Sequence, residues 1–402
     1  MRQRLVSLFC IGLAALALNS SPSQAQNKEM KEWTFLVYLN GHNSLDQFGP
    51  MNIKQMEKVG STDQLNIVVQ WASMSFDKTK RLLVTKSTNQ NQVTSPIVEE
   101  PGLIDMGDYN SLVDFIKWGA EHYPAKHYMV DVWNHGGGWH DVTRIDASNG
   151  VIKPTDISWD DRTGHVITTE QLGLALGTAA KNIGHKIDVY ASDACLMAMA
   201  EVGAEMKSSV SVMVGSEEVE PGAGWPYDDF LSTWVKAPRS SAAEVGKMLS
   251  HAYAAAYSGG QYGHQDITMS VVDLNKMDAI SASMKAFVEE VKSLNPAMRA
   301  KVLSTAQASL SYTYDDYKDM TDFITRLEKS GVNLRATVLS NLRDAVKQSV
   351  LENDASGAYA NSRGLAFWFP NDRETYQQYA QRYAGLQFNK DTNWNDVLSV
   401  LY

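Results

Sequence analysis

Two short, largely apolar runs constrain this chain more than anything else in it: His127–Trp133 and Ile187–Ala191. Each reads as a buried strand, and each ends beside a reactive side chain. The first runs into Asn134-His135-Gly136-Gly137-Gly138-Trp139, the second into Ser192-Asp193-Ala194-Cys195-Leu196-Met197. In a parallel α/β sheet, chemistry collects at the carboxyl ends of the strands, where His135 and Cys195 both fall. A thiol near pH 7 is mostly protonated, and an adjacent imidazole is the usual way to raise its thiolate fraction. A small buried hydrophobe is the other reading of a lone cysteine.

Three further runs, Thr34–Leu39, Leu65–Trp71 and Val210–Gly215, also read as strands. Helical patterns alternate with them at Asn52–Val59, at Ser111–Glu121 (opened by Ser111-x-x-Asp114), from Thr168-x-x-Gln171, and from Cys195 through Met206. Such alternation predicts an α/β fold whose mostly parallel sheet is covered on both faces. The texture changes near Arg239. Helical patterns over Ala297–Leu327 and Leu334–Leu351, with strands at Ile267–Val272 and Gly364–Phe369, predict an α+β region, 239–402, that packs on and extends the sheet of 26–238.

Arg2 and Arg4, an apolar stretch from Leu5 to Leu18, and Ser23-Gln24-Ala25 form a secretory signal over residues 1–25, cleaved after Ala25. The apolar stretch is too short to span a bilayer comfortably, so no membrane anchor is expected after its removal. The mature chain is expected to be secreted or periplasmic. Cys10 leaves with the signal, so Cys195 has no partner for an internal disulfide. Loss of Arg2 and Arg4 takes the net charge from −10 to two units more negative. That excludes nucleic-acid binding as a first reading and suits a cationic substrate.

The Gly136-Gly137-Gly138 run lets the backbone turn tightly after His135. The Gly136 N–H, with that of Cys195, suits the oxyanion of an acyl-transfer intermediate. Cys195 is expected at a helix N-terminus, where the dipole favours a thiolate. Asp193 suits either of two roles, the cap of that helix or a carboxylate at the base of a pocket for Lys or Arg. The loop over 215–227 carries Glu217, Glu218 and Glu220 among Gly, Pro and aromatic residues, as a pocket wall or as a solvated acidic loop. The spacing of His140 from His135 fits no helix-borne zinc motif. Neither Asp156/Asp160/Asp161 nor Asp315/Asp316/Asp319/Asp322, the latter on a helical run, follows EF-hand spacing. No metal or cofactor is expected.

Over about residues 32–370 the chain resembles the clostripain-like cysteine peptidases of the caspase-like clan. The two motif runs carry the resemblance, with Asn43-Ser44-Leu45-Asp46 and Gln55-Met56-Glu57-Lys58-Val59-Gly60. It implies a caspase-like α/β/α sandwich and a Cys195–His135 dyad without an obligatory third member. It also implies that Asp193 receives basic P1 residues, so that protein or peptide substrates are cut after Lys or Arg. Glu217, Glu218 or Glu220 is left as a second pocket acid, and weak calcium binding stays compatible because some relatives use calcium. A transpeptidase or amidase on the same fold, and a non-catalytic adhesin or binding module, are the competing functions. Arg144, Lys153 and Arg162 lie between the two motifs in a stretch that reads as an exposed loop, where an enzyme of this selectivity would cut itself; an intact loop is the alternative.

Overall fold

The computed structural model describes residues 30–89, 91–140, 144–145, 152–153 and 156–402. Nine strands form the main sheet: β1 Lys31–Gly41, β2 Leu65–Ser73, β3 Thr79–Leu83, β4 Ile97–Gly102, β5 Ala125–Trp133, β6 Ile187–Asp193, β7 Val210–Gly215, β8 Thr268–Asp273 and β9 Val350–Ala355. Their order across it is β9-β8-β7-β6-β5-β1-β2-β3-β4. The central strands, β7 to β2 in that order, are parallel, and the two strands at each edge are antiparallel. This is the mixed α/β architecture, with a mostly parallel sheet, that the alternation predicted.

Successive side chains of a strand point to opposite faces, so a strand covered on both sides reads as an unbroken apolar run. In β1, Leu36 and Tyr38 enter one core while Phe35, Val37 and Leu39 enter the other. Helices α1 Gly49–Val59, α2 Tyr109–His122, α3 Thr169–Ile183, α4 Ala200–Met206, α5 Tyr227–Trp234 and α6 Ala242–Tyr257 divide between these faces. Leu112, Phe115 and Ile116 of α2 and Leu172 and Leu176 of α3 pack with Leu36; Phe230 and Trp234 of α5 and Leu249 of α6 pack with Phe35. Thr168 and Gln171 make the predicted reciprocal cap of α3. The cap of α2 is Asp108, and the helix starts before Ser111.

The sheet continues past residue 238 through β8 and β9. β9 occupies the end of the stretch read as helical, because helix Ala336–Ser349 stops where Val350 turns extended. The run Gly364–Phe369 yields only Ala366–Trp368, paired antiparallel with Tyr317–Asp319 in a ladder of its own. The long pattern over 297–327 splits into helices Pro296–Gln307 and Met320–Lys329. Asp315 and Asp316 therefore lie between helices, and Asp319 caps the second by accepting the Asp322 N–H.

Candidate active site

β5 and β6 are parallel neighbours in register, with Trp133 opposite Asp193. The two motifs therefore leave the sheet at the same level, and the Asn134 N–H donates to the Asp193 carbonyl at 3.2 Å. His135 and Cys195 line one cavity of about 530 Å³, shared with Leu45, Trp159, Asp193, Glu220 and Tyr314.

Cys195 does not sit at a helix N-terminus. Leu196 turns left-handed at φ 64°, and the next residues run alongside the loop after β7. There the N–H groups of Leu196 and Ala198 donate to the carbonyls of Glu218 and Ser216. α4 begins only at Ala200, capped by Met199, so Asp193 is not its cap and the helix dipole does not bear on the thiol. Burial pushes the Cys195 thiol up to about 11, with Glu218 and Asp193 adding to it; the Glu220 N–H, donating to Sγ at 3.3 Å, works against them. These surroundings favour the thiol over the thiolate, the opposite of what a helix N-terminus would do.

Gly136 must be glycine because a Cβ would stand 2.4 Å from the Cys195 carbonyl oxygen. Gly136 lines the cavity, and its N–H has no backbone hydrogen-bond partner among the described residues. The neighbouring Gly137 N–H donates to the Asp156 carbonyl, and the Tyr317 hydroxyl donates to the Gly137 carbonyl at 2.6 Å. The C-terminal region thus buttresses the glycine turn.

His135 is held from two sides. Its Nε2 lies 3.0 Å from Ser44 Oγ, and its ring packs on Trp159 at 5.0 Å between centroids. The loop carrying Ser44 is locked by Asn43, whose amide donates to the Asn40 and Trp159 carbonyls and whose Oδ1 accepts the Leu45 N–H. Asn134 joins the same lattice, accepting the Trp159 N–H at 2.7 Å. Ser44, Trp159 and Asn134 were not singled out from the sequence as contacts of the histidine. The signals were that Asn134 adjoins His135 in the motif run and that Asn43 and Ser44 fall in a segment shared with the resembling family.

Asp193 ends β6 and lines the cavity base. Its carboxylate accepts from the Tyr227 hydroxyl at 2.9 Å and from the Trp225 N–H at 3.4 Å. Gly224, at φ 65°, lies so close that a Cβ would stand 2.9 Å from Asp193 Oδ1. Burial pushes the Asp193 carboxyl up to about 6 despite these donors. Glu220 accepts the Trp225 indole N–H through Oε2 at 3.1 Å, and its carboxyl also meets that of Asp193; among the described residues no N–H or O–H group donates to Oε1. Burial, then the charge of Asp193, holds its carboxyl well above the usual range. Among the described residues neither acid has a Lys or Arg partner.

Glu217 and Glu218 lie off the cavity lining. Glu217 accepts from the Ser362 hydroxyl and the Gly364 N–H; Glu218 accepts from the Thr313 N–H and hydroxyl. They tie the loop that carries Glu220 to the C-terminal region. His140 packs on Tyr317 and Tyr379 beside Asp316, whose carboxylate is 3.2 Å away. Asp160 accepts from the His42 ring and the Met106 N–H, and Asp156 pairs with Arg382. The Arg162 guanidinium is engaged by the Met74 and Phe76 carbonyls. The backbones of Arg144–Ile145 and Ile152–Lys153 pair antiparallel; 141–143, 146–151 and 154–155 lie outside the described residues.

Several buried acids hold protons that an unfolded chain would release: Glu217 at about 8, Glu201 at about 7, and Asp193 and Asp319 at about 6, each raised first by burial. Their raised native values mean that their contribution is fully present below pH 4 and fades as pH rises through these values. The urea midpoint is expected to fall between pH 5 and pH 8. A midpoint that climbs across that window contradicts the burial of these acids.

The family model for "Peptidase_C11: Clostripain family" matches residues 37–400. The chain belongs to the clostripain family. Clostripain of Hathewaya histolytica is 23% identical to it over 345 residues, 74% of this chain; the match spans 63% of the clostripain's length. Two solved structures share the fold across 90% of this clostripain-family chain. One is a secreted C11 cysteine protease from Bacteroides thetaiotaomicron in complex with an irreversible peptide inhibitor, with TM-score 0.67, 18% identity and 99% of that chain covered. The other is an inactive zymogen C11 protease from Parabacteroides distasonis, with TM-score 0.66, 17% identity and 98% covered.

Proposed function

We propose that this chain is an exported cysteine endopeptidase that cleaves protein or peptide substrates after Lys or Arg. The observation that carries the reading is a single cavity. It holds Cys195, His135, the Gly136 turn and two buried acids in contact with one another, neither with a Lys or Arg partner among the described residues. Buried carboxylates are usually paired, and a P1 ammonium or guanidinium would complete Asp193 and Glu220 through charge-assisted hydrogen bonds.

In this reading Cys195 Sγ attacks the scissile carbonyl while His135 takes the thiol proton and passes it to the leaving amine. With burial favouring the thiol, the proton moves to His135 during attack in this reading. The N–H groups of Gly136 and Cys195 face the oxyanion. Water then attacks the thioester, with His135 as the base, and frees the acyl product and the thiol. Secretion rests on the signal, which lies outside the described residues, and no helix of the described residues is long and apolar enough to cross a membrane. A P1-varied peptide library assayed on mature protein, with Cys195→Ala as control, tests the function. Cleavage confined to Lys and Arg supports it, and cleavage indifferent to P1 removes the specificity.

Ser44 positions the imidazole here. Its hydroxyl meets Nε2 at 3.0 Å; in the tautomer with the proton on Nε2, that N–H donates to Ser44 Oγ and Nδ1 is the nitrogen to take the thiol proton. Because Ser44 is exposed and, among the described residues, its side chain bonds only His135, Ser44→Ala should leave stability unchanged. It should lower kcat roughly 10-fold through a misplaced base, with KM unaltered. Steady-state kinetics with an unchanged kcat would remove Ser44 from the mechanism.

A further inference from the structure

Tyr227 stands between two carboxylates. Its hydroxyl oxygen is 2.8 Å from Asp131 Oδ2 and 2.9 Å from Asp193 Oδ2. A phenol carries one proton, so it donates along one of these lines at a time. The other short contact would set a tyrosine lone pair against a carboxylate lone pair. In a buried place little water screens that repulsion. The contact needs a second proton, and one of the two acids must supply it.

The geometry picks Asp131. Period two along neighbouring strands puts Asp131 of β5 and Asp193 of β6 on the same face of the sheet, under α5. Asp193 reaches the cavity wall; Asp131 is fully buried behind it and is not among the lining residues. Asp131 Oδ1 accepts the Asp193 N–H at 3.2 Å, which leaves Oδ2 to act as donor. A neutral carboxylic acid would have every polar atom partnered there. Among the described residues the ionisable groups that interact with it are Asp193, Tyr227, Glu220 and Tyr190 of β6, with Tyr253 and Tyr257 of α6 beyond them, and none is a cation.

We propose that Asp131 is kept as a neutral carboxylic acid that donates to Tyr227, which donates in turn to Asp193, and that this relay sets Asp193 as the anion awaiting the P1 cation. Burial first, then the charge of Asp193, drives the Asp131 carboxyl far above its ordinary range. Two linked carboxyls of this kind do not both ionise readily. Asp131 is a positioning residue for specificity, acting through Tyr227 without touching substrate. The inference rests on the basic-P1 reading of the cavity, but its first test does not.

That test is infrared spectroscopy of the mature wild-type protein carrying ¹³C-labelled aspartate, followed to pD 8. There Asp193 and Asp319 are ionised, and the carbonyl band of one neutral aspartic acid should persist. Its absence overturns the proposal whatever the substrate. The second test is Asp131→Asn, whose amide can donate to Tyr227 and whose carbonyl can accept the Asp193 N–H. The band should vanish while KM for Lys and Arg peptides stays within about threefold of wild type, since no charge is lost. A KM raised tenfold or more would mean that Asp131 is ionised, and would overturn the relay. Tyr227→Phe, which breaks the relay, should raise KM for basic P1 roughly tenfold with kcat retained, the worth of about one hydrogen bond to a charged group; an unchanged KM contradicts the relay. A wild type with the persistent band but no preference for basic P1 would refute the substrate reading alone.

Discussion

Cys195→Ala protein is expected to fold as the wild type does and to lose turnover by a factor on the order of 10⁴ to 10⁶, as when one member of a nucleophile–base unit is removed. The fold should survive because the residue is only partly enclosed and Sγ receives only backbone N–H groups among the described residues, that of Glu220 at 3.3 Å. His135→Ala should cost about as much, and the double variant little more, because the two groups act as one unit. Circular dichroism and an active-site titration separate loss of chemistry from loss of fold. Substantial turnover in a folded Cys195→Ala protein would remove the thiol mechanism.

Asp193→Asn should weaken the preference for basic side chains. The amide oxygen still accepts from Tyr227, but the charge facing the cavity is gone. Truncating one side of a buried charged pair costs about 2–5 kcal/mol, so kcat/KM for Lys and Arg peptides should drop roughly 30-fold or more. Peptides with neutral P1 residues should be unaffected. Because Asp193 already sits at about 6 through burial, basic-P1 cleavage by the wild type should strengthen as pH rises through that value and the carboxylate forms. A variant that keeps its Lys/Arg preference would assign Asp193 a purely structural role.

The central strands were legible in the sequence because burial on both faces leaves no polar alternation. β5 and β6 differ from their expected spans only by two residues at one end. The edge strands were not, except β8, which lies one residue from its expected span. β3 reads Thr-Lys-Arg-Leu-Leu, and β4 reads Ile-Val-Glu-Glu-Pro-Gly with Ile97 and Val98 exposed, so neither offers a buried run. The helix expected from Cys195 failed for a different reason. Leu196, Met199 and Ala200 have helical spacing, yet Leu196 adopts a left-handed φ that sequence periodicity does not reveal in a leucine.

The site divides in the same way. His135, Cys195, Gly136 and Asp193 stand in local motifs at strand ends, and one strand register brings them together. Glu220 shared its acidic loop with Glu217 and Glu218, and only tertiary packing turns one toward the cavity and the others toward Ser362 and Thr313. Ser44 reaches His135 across 91 residues, and Tyr227 reaches Asp131 across 96. No local pattern marks such pairs, because each partner is an ordinary polar residue until the sheet and its loops place it.

The most direct measurement is mass spectrometry of mature protein treated with irreversible peptidyl ketones that differ only at P1. Residues 26–402 contain one cysteine, so the site of a thioether is unambiguous. The Lys and Arg probes should each add one equivalent to Cys195, and the His135→Ala variant should react far more slowly. Probes with Glu or Phe at P1 should leave the protein unmodified. Labelling of Cys195 at equal rates by every probe, or no labelling by the basic ones, would contradict the account.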